Sequence, residues 1–478
     1  MTIEDTRTYD VVVIGAGPVG ENVADRTTAA GLSTVIVESE LVGGECSYWA
    51  CEPSKALLRP ALLRAEASRV PGLSPAASGP LDVAAVLAHR DRMSADWNDE
   101  GQVEWLKTAG IELLRGHGRL DGTRRVAVTT PGGGTVRLLA RHAVAVCTGS
   151  GAALPDLPWL ADLRPWTSRE ATSARQAPGR LAIVGAGVVA TEMATAWQAL
   201  GSQVTLLVRG AGLLSNMEPF AGELVAERLR EAGVDLRFGV SVATAARTGG
   251  EVHLILSDGD RLSADELLFA TGRAPRTGDL GLETVGLPPG DWLATDDAYT
   301  VTAVPGDWLY AAGDVNRRAL FTHQGKYQAR IAGAVIAARA AGAPLDTGRW
   351  SAHSGTADTA AVPAVVFTDP EVASVGLTTM EARRTGRRVD VVDYDLGHVA
   401  GALQHDPGYR GRARALIDPE RRTVVGVTFA GPGVAELLHS ATVAIVGETP
   451  VERLWHAVPA FPTISEVWLR LLETYRNL

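Results

Sequence analysis

Apolar residues along this chain fall into short β-branched runs separated by stretches of small residues, and one such arrangement occurs twice. Residues 10–38 read DVVVIGAGPVGENVADRTTAAGLSTVIVE, and residues 180–208 read RLAIVGAGVVATEMATAWQALGSQVTLLV. Each copy contains an apolar run, a glycine-rich turn, a small-residue helix and a second apolar run. This order predicts the strand–turn–helix–strand unit of a dinucleotide fold. The two copies lie far apart, which indicates duplication of a whole domain rather than a short repeat.

The rest of the pattern predicts further strands and a change of architecture towards the C-terminus. Short apolar runs that end close to a glycine occupy 143–149, 266–273 and 307–314, and a long small-residue helix is expected at about 323–342. Residues 340–362 are rich in Gly, Ala, Ser and Thr, which is typical of a linker. The strand-like segments VPAVVF, ARALID and VVGVTFAG then indicate a separate α+β domain.

Bulk properties narrow the class of protein. A chain of 478 residues exceeds a single hydrophobic core, so we expect several domains. The net charge of −10 argues against a nucleic-acid partner, which usually requires a concentrated basic patch. The N-terminus, MTIEDTRTYD, has no basic start and no apolar run, and no segment reaches the roughly 20 apolar residues of a membrane span. These features predict a cytoplasmic protein without a membrane partner.

The first glycine turn carries a specific signal. Gly15, Gly17 and Gly20 follow a strand directly, where they allow a tight turn, close approach of a pyrophosphate and close packing of helix against strand. The helix amides and dipole would then hold the diphosphate. Glu38 closes the second strand, where a carboxylate can accept hydrogen bonds from a ribose diol.

The second turn differs at its strand end. Gly185 and Gly187 repeat the device with Ala190 in the third place, but Val208 occupies the acid position and Arg209 follows. A guanidinium can bind a 2′-phosphate, so this turn favours NADPH over NADH. NADH stays open, because Arg209 could also be an ordinary solvated arginine at the end of a strand. Two dinucleotide units in one chain suggest a flavin and its electron donor.

Cysteines supply the remaining candidate chemistry. Cys46 and Cys51 lie in GGECSYWACEPSK, and Cys147 stands alone. A pair at this spacing is expected in the first turns of a helix, about one turn apart, where the dipole lowers a thiol pKa and a disulfide is within reach. No second Cys or His pair lies nearby, which argues against zinc.

Together these segments resemble the class I pyridine nucleotide-disulfide oxidoreductases, such as dihydrolipoamide dehydrogenase, glutathione reductase and mercuric reductase. The resemblance spans essentially the whole chain. It includes GAGPVG with Glu38, the cysteine segment, TGS at 148–150, GAGVVATE, ATGR, AAGD, FTDPEVASVG at 367–376 and FPTISE at 461–466.

The resemblance implies an α/β fold with two Rossmann-like dinucleotide-binding domains and a C-terminal α+β dimerisation domain. FAD would bind a discontinuous domain of residues 1–152 and 276–350. NADPH or NADH would bind residues 153–275, and residues 351–478 would form the dimerisation domain of a homodimer.

The resemblance also implies residue roles. Cys46 would be the interchange thiol that meets the substrate, and Cys51 the charge-transfer thiol beside the flavin. Lys55 and Glu192 would form an ion pair near the flavin N5, and Asp314 would bind the ribityl chain. The glycine turns and the resemblance together give the cofactor-binding set: Gly15, Gly17, Pro18, Gly20, Glu38, Ser39, Gly44, Glu45, Lys55, Gly118, Thr148, Gly149, Ser150, Gly185, Gly187, Ala190, Arg209, Gly272, Arg273, Gly313, Asp314, Phe321, Thr322 and His323.

The chain departs from the family pattern near its C-terminus. Disulfide-reducing members carry a histidine before Pro-Thr, held by a glutamate, and here that position is Phe461 while Glu466 is retained. Phenylalanine transfers no proton, and general acid–base help is worth about 10²–10⁴-fold. His456 is a weak substitute. At the position that often carries a gating tyrosine, this chain has Val188.

The cysteine loop departs as well. Tyr48 and Trp49 lie between the cysteines, where they either line a flat aromatic site or pack the helix start. Glu45 and Glu52 flank the pair and would raise a thiol pKa.

Three functions remain open at this point. The first is reduction of a small disulfide by NAD(P)H through the flavin and the cysteine pair. The second is a quinone-type reductase, or diaphorase, in which reduced flavin serves the acceptor directly and no proton relay at Phe461 is needed. The third, which the complete set of hydride-transfer residues disfavours, is a redox-responsive binding protein.

Overall fold

The structure is a computed structural model that describes residues 5–477; residues 1–4, which start the polar N-terminus noted above, and residue 478 lie outside it. The strands are β1 (Asp5–Ile14), β2 (Thr34–Glu38), β3 (Glu112–Arg115), β4 (His117–Leu120), β5 (Arg125–Thr129), β6 (Thr135–Val146), β7 (Ser150–Ala152), β8 (Arg180–Val184), β9 (Gln203–Val208), β10 (Asp235–Phe238), β11 (Val242–Thr248), β12 (Glu251–Leu256), β13 (Arg261–Ala264), β14 (Glu266–Phe269), β15 (Arg273–Pro275), β16 (Leu309–Ala311), β17 (Pro363–Val366), β18 (Glu371–Gly376), β19 (Asp390–Asp395), β20 (Arg412–Asp418) and β21 (Thr423–Gly431).

The helices are α1 (Pro18–Ala29), α2 (Gly44–Tyr48), α3 (Cys51–Arg69), α4 (Val83–Met93), α5 (Glu100–Thr108), α6 (Leu160–Leu163), α7 (Ser168–Ser173), α8 (Val188–Ala199), α9 (Pro219–Glu231), α10 (Thr322–Ala340), α11 (Ala357–Ala360), α12 (Thr379–Arg384), α13 (Ala400–His405), α14 (Leu438–Val446), α15 (Val451–Leu454) and α16 (Val467–Tyr475). Within residues 5–477, no helix combines the length and the apolar character needed to cross a membrane.

Contacts divide the chain into two compact units. The first comprises the chain up to Glu52 together with Ser94–Gly151 and Arg273–Thr359. The second comprises Pro53–Met93, Ala152–Gly272 and the chain from Ala360 onwards. The domain boundaries given above stay predictions.

The first unit is built on a sheet in the order β3-β2-β1-β6-β5-β4, with β16 beside β6. Strands β1, β2, β3, β6 and β16 pair in parallel, whereas β4, β5 and β6 form antiparallel ladders. Residues Val11–Val13 are fully buried, as expected for a parallel strand covered on both faces. Helices α1 and α10 pack side by side on one face, and their small residues allow the close approach.

The second unit contains three sheets. Strands β10-β9-β8-β14 form a parallel sheet under α8, and β11-β12-β13 form a small antiparallel sheet. Strands β17-β18-β21-β20-β19 form an antiparallel sheet, against which α14 and α16 pack. A mixed sheet and a parallel sheet, each with a glycine turn directly after one of its strands, together with a C-terminal antiparallel sheet, confirm the predicted α/β class with an α+β domain.

The predicted linker at 340–362 is wrong for its second half. Residues 341–344 are exposed, but Ser354, Thr356 and Asp358 are buried. The Asp358 carboxylate accepts hydrogen bonds from side chains on three separate stretches of the first unit: Tyr299, Arg318, Gln324 and Gln328. A buried carboxylate with this many donors fixes the segment, which its small-residue composition did not reveal.

Candidate active site

The cysteine pair lies at the junction of two helices. Cys46 is in the five-residue helix α2, and Cys51 is the first residue of α3. Trp49 and Ala50 interrupt the helix between them, so the expected single helical turn is wrong. The backbone of Trp49 is not helical, with φ −138° and ψ 0°, and this break separates the two helices.

Both cysteines are thiols, and Thr322 lies against them. Cys51 Sγ is 3.3 Å from Thr322 Oγ1. The pKa of Cys46 is raised above its ordinary value, first by its hydrogen bond to Cys51 and then by burial and the charge on Cys51. The Thr322 hydroxyl acts in the opposite direction. The neighbouring Cys51 and burial therefore both oppose ionisation of the Cys46 thiol.

The two glutamates that flank the pair behave differently. The charge of Glu52 contributes to the raised pKa of Cys46, as expected. The Glu45 carboxylate instead accepts a hydrogen bond from Arg276 Nη2 at 2.7 Å, so its charge is paired. Arg276 also donates from its backbone to Gly149 O and from Nε to Ser150 O at 3.2 Å. Arg276 was not predicted, because nothing local to either residue signals a partner so far along the chain.

Tyr48 and Trp49 resolve into different roles. Tyr48 is only 2 % exposed, and its hydroxyl donates to Val42 O at 2.9 Å. Burial raises the pKa of Tyr48 to about 12. Tyr48 therefore packs the helix start, and the site-lining interpretation is wrong for it. Trp49 is half-buried and meets Tyr48 edge to face, with ring centroids 5.7 Å apart.

The first glycine turn has room for a diphosphate only because it lacks side chains. A Cβ at Gly15, where φ is +99°, would lie 2.5 Å from Cys147 O, and a Cβ at Gly44 would lie 2.8 Å from Gly17 Cα. Glu38 at the end of β2 accepts a hydrogen bond from Ala16 N at 2.7 Å, so its carboxylate lies beside the turn. A helix N-terminus, a side-chain-free turn and a carboxylate suit the pyrophosphate and ribose of a dinucleotide.

A polar cluster gathers other predicted cofactor-binding positions within the same unit. Arg273 donates to Ser150 Oγ at 2.5 Å and to Ser150 O at 2.7 Å. The Ser150 hydroxyl in turn donates to Asp314, which follows β16. Thr148 carries a buried hydroxyl with no hydrogen-bond partner in the described part of the chain. This orphaned donor fits a site that a ligand completes.

Other predicted positions also lie in the first unit. Phe321 stacks on His323 at 5.3 Å, just before and within the first turn of α10. Gly118 in β4 faces the core, where a Cβ would lie 3.1 Å from Val37 and 3.3 Å from Ile14.

The predicted ion pair lies in the second unit. Lys55 Nζ is 2.8 Å from Glu192 Oε2, and the ammonium also stands 4.9 Å from the centre of the Phe367 ring. Glu192 is only 3 % exposed, and its second oxygen accepts the backbone N–H of Phe367 at 3.0 Å. Both oxygens of this buried carboxylate are thus satisfied by groups from two other segments.

The second glycine turn repeats the geometry of the first. Gly185 has φ +147°, and a Cβ there would lie 2.4 Å from Ala270 O and 3.3 Å from Ala190 Cβ. Gly187 has open space above it and caps α8. Arg209 is exposed directly after β9.

The C-terminal segment holds no imidazole at the family's acid position. Phe461 is 74 % exposed. Glu466 is buried and accepts a hydrogen bond from Arg470 Nη2 at 2.5 Å, so a guanidinium engages the carboxylate that would orient a histidine. His456 is exposed and follows α15.

Comparison with known proteins places this geometry in a family. The model of the pyridine nucleotide-disulphide oxidoreductases matches residues 9–341, and that of their dimerisation domain matches residues 362–471. The chain is 33 % identical over 469 residues to dihydrolipoyl dehydrogenase 3 of Pseudomonas aeruginosa, across 96 % of each chain. It is 32 % identical to mercuric reductase of Acidithiobacillus ferrooxidans, across 97 % of this chain and 81 % of that one.

Solved structures share the fold. The Cu(II) complex of the HOCl-induced flavoprotein disulfide reductase RclA from Escherichia coli has a TM-score of 0.82 at 22 % identity, covering 98 % of this chain and 99 % of that one. LpdA from Mycobacterium tuberculosis has a TM-score of 0.82 at 24 % identity, covering 99 % and 100 %. Family members are FAD-dependent and use a pyridine nucleotide. The predicted resemblance is confirmed, and this chain belongs to the pyridine nucleotide-disulphide oxidoreductase family of flavoproteins.

Proposed function

We propose that this chain reduces a small disulfide with electrons from NADPH, using Cys46 and Cys51 as its redox pair. The observation that carries the proposal is the hydrogen bond between the Cys46 and Cys51 side chains, with the Thr322 hydroxyl 3.3 Å from Cys51 Sγ. A dithiol in this state has one sulfur ready to form a bond and a second ready to resolve it. FAD, when bound, would relay the electron pair from the nicotinamide to this pair of cysteines.

The two cysteines would reduce a disulfide substrate in two steps. Cys46 gives up its proton and attacks one sulfur of the substrate, which breaks the substrate S–S bond and releases the first thiolate. The Cys51 thiolate then attacks Cys46, releases the second thiolate and leaves a Cys46–Cys51 disulfide. The substrate gains two electrons, and the dithiol loses them. One proton comes from Cys46 and the other from solvent, because Phe461 offers none.

FAD would be held by the first glycine turn, with Glu38 on its ribose and Asp314 on its ribityl chain. The side-chain-free turn and the orphaned Thr148 hydroxyl support this assignment. Lys55 and Glu192 would act together as the ion pair on the hydride path, since each fixes the other's position.

A preference for NADPH rests on Arg209. Its exposed guanidinium would bind the 2′-phosphate, so Arg209→Ala should raise the KM for NADPH about tenfold or more and leave the KM for NADH almost unchanged. Equal KM values for the two nucleotides in the unaltered protein would contradict this preference.

Direct reduction of a quinone by the flavin is the second candidate. The exposed phenyl ring of Phe461 favours it, because an acceptor served by the flavin needs no proton donor at that position. Mercuric reductase relatives add a metal ion to the acceptors that should be screened.

Substitution of the cysteines separates the candidates. Cys46→Ser should abolish disulfide turnover, and it should spare quinone turnover if the direct route exists. Cys147→Ala controls for loss of a thiol, since Cys147 is a buried cysteine that does not belong to the pair. Disulfide turnover that survives Cys46→Ser, with FAD bound, would refute the use of the pair.

A homodimer is proposed for the C-terminal segment. The region that matches the dimerisation domain exposes the apolar side chains of Val443, Val446, Val458 and Phe461. Apolar side chains this exposed suit an interface between two copies. Light scattering across a range of protein concentrations should give twice the chain mass, and a monomer throughout would refute the proposal.

A further inference from the structure

A strained turn precedes α5 in the first unit. Ala95, Asp96 and Trp97 have φ values of +49°, +51° and +55° in succession, although none is glycine. Left-handed backbone is costly for residues with a Cβ, and such residues occur singly rather than in runs. Ala95 and Asp96 are exposed, so their side chains do not explain the conformation. Strain of this kind persists only where surrounding contacts enforce it, and it often accompanies functional sites.

The contact that this turn makes reaches the cysteine loop. The half-buried Trp97 side chain donates from Nε1 to Tyr48 O at 3.1 Å. Tyr48 is the last residue of α2, the helix that carries Cys46. The final carbonyls of a helix have no partner inside it, so an outside donor holds its end in place. Only Trp49 and Ala50 separate this carbonyl from Cys51.

The same segment also holds the approach to α2. Asp99 accepts a hydrogen bond from Val42 N at 2.7 Å and is itself paired with Arg115. The Tyr48 hydroxyl donates back to Val42 O at 2.9 Å. The chain is therefore fixed both before and after the turn of helix that presents Cys46.

We propose that Trp97 is a positioning residue for the redox pair. By holding the carbonyl of Tyr48, its indole sets where α2 ends and so how the Cys46 sulfur lies relative to Cys51. The strained turn is the conformation that brings the indole to this carbonyl. This inference rests on the proposed redox function of the two cysteines.

Loss of the indole N–H should loosen the Trp49–Ala50 junction and lower the effective concentration of one sulfur at the other. A displacement of about 1 Å can change such intramolecular steps up to a hundredfold, so we expect the thiol–disulfide equilibrium constant to fall about tenfold. Thr322 and Cys51 are untouched by the change.

The test is equilibration of the FAD-bound protein with glutathione buffers, followed by alkylation and mass measurement of the Cys46–Cys51 disulfide. Trp97→Phe keeps an aromatic ring and removes the donor. Trp105→Phe is the matched control, because Trp105 is an exposed tryptophan on α5 of the same unit. Should Trp97→Phe fail to fold, a benzothiophene analogue at position 97 removes only the N–H and keeps the shape of the ring.

The expected result is a tenfold lower equilibrium constant for the position 97 variants and no change for Trp105→Phe. A variant that lowers only the melting temperature, with an equilibrium constant within twofold of the parent, would show a merely structural role and overturn the inference. If the parent protein itself forms no Cys46–Cys51 disulfide at any glutathione ratio, the proposed function fails and the inference with it.

Discussion

Replacing Thr322 by valine removes a hydroxyl and preserves the shape of the side chain. That hydroxyl lies 3.3 Å from Cys51 Sγ and lowers the pKa of Cys46. Once the pair is ionised, Thr322 donates to a thiolate, and a hydrogen bond to a charged group contributes about 1.5–3 kcal/mol. Both residues are half-buried, so we take the lower end of this range. With 1.36 kcal/mol per pKa unit, the lowest apparent pKa of the pair should rise by about one unit.

The rise has a definite sign and a second consequence. Below the pKa, the rate of thiol alkylation should fall about tenfold in Thr322→Val, and above it the two proteins should react equally fast. Because the valine variant destabilises the reduced, ionised pair, its disulfide should also be harder to reduce, by about 30 mV for a two-electron couple.

The assay is alkylation of the reduced protein by iodoacetamide between pH 5 and about 10, followed by mass measurement of each cysteine. Thr322→Ser is the matched control, since it retains the hydroxyl, and it should reproduce the profile of the parent. If the valine profile overlays that of the parent within about 0.3 pH units while the fold is intact, the hydroxyl does not stabilise the thiolate, and the reasoning is wrong.

Three further predictions concern stability, all measured by urea unfolding. Lys55→Met leaves the buried Glu192 carboxylate without its Lys55 partner and should lower the free energy of unfolding by about 1–3 kcal/mol. This loss is smaller than for a fully buried pair, because the Lys55 side chain is 37 % exposed. The double variant with Glu192→Gln should recover most of the loss. Ala95→Gly relieves left-handed strain of about 1–2 kcal/mol against an entropy cost of about 0.5–1 kcal/mol, so it should stabilise the protein by up to about 1.5 kcal/mol. The same change at the exposed helical Ala88 should destabilise the protein by about 1 kcal/mol, and losses at both sites would contradict the strain. Burial raises the pKa of Glu21 from 4.5 to about 7, so the folded state keeps a proton that the unfolded state loses. The free energy of unfolding should therefore fall by about 3 kcal/mol as the pH rises from 4.5 to 7. Glu21→Gln should remove this pH dependence, and the same pH dependence in both proteins would refute the prediction.

Local patterns in the sequence were enough to predict the elements that carry the site. Both glycine turns follow buried strands, and the helix expected at 323–342 is α10, Thr322–Ala340. These features depend on residues close in sequence, where hydrophobic period and glycine geometry decide the backbone. The Lys55–Glu192 pair was reached through the family resemblance, and the structure brings the two residues together.

Features that the sequence did not predict depend on pairing between distant segments. Arg276 neutralises Glu45, and Trp97 holds Tyr48 O, yet each of the four residues looks like an ordinary surface or core residue in its own neighbourhood. The interruption of the cysteine helix at Trp49 has the same origin, since tertiary contacts override the local tendency to continue a helix.

The segment after α10 changes character within a dozen residues, and this has a practical consequence for handling the protein. Residues 342–344 are exposed, whereas Asp358 anchors the stretch around it through four side chains. Limited proteolysis should cut the native chain near residues 342–344 and leave the segment around Asp358 intact, because a protease cleaves backbone that can unfold locally. A fluorescent tag or an affinity peptide inserted at 342–344 should therefore be tolerated, while the same insertion at Asp358 should yield insoluble protein.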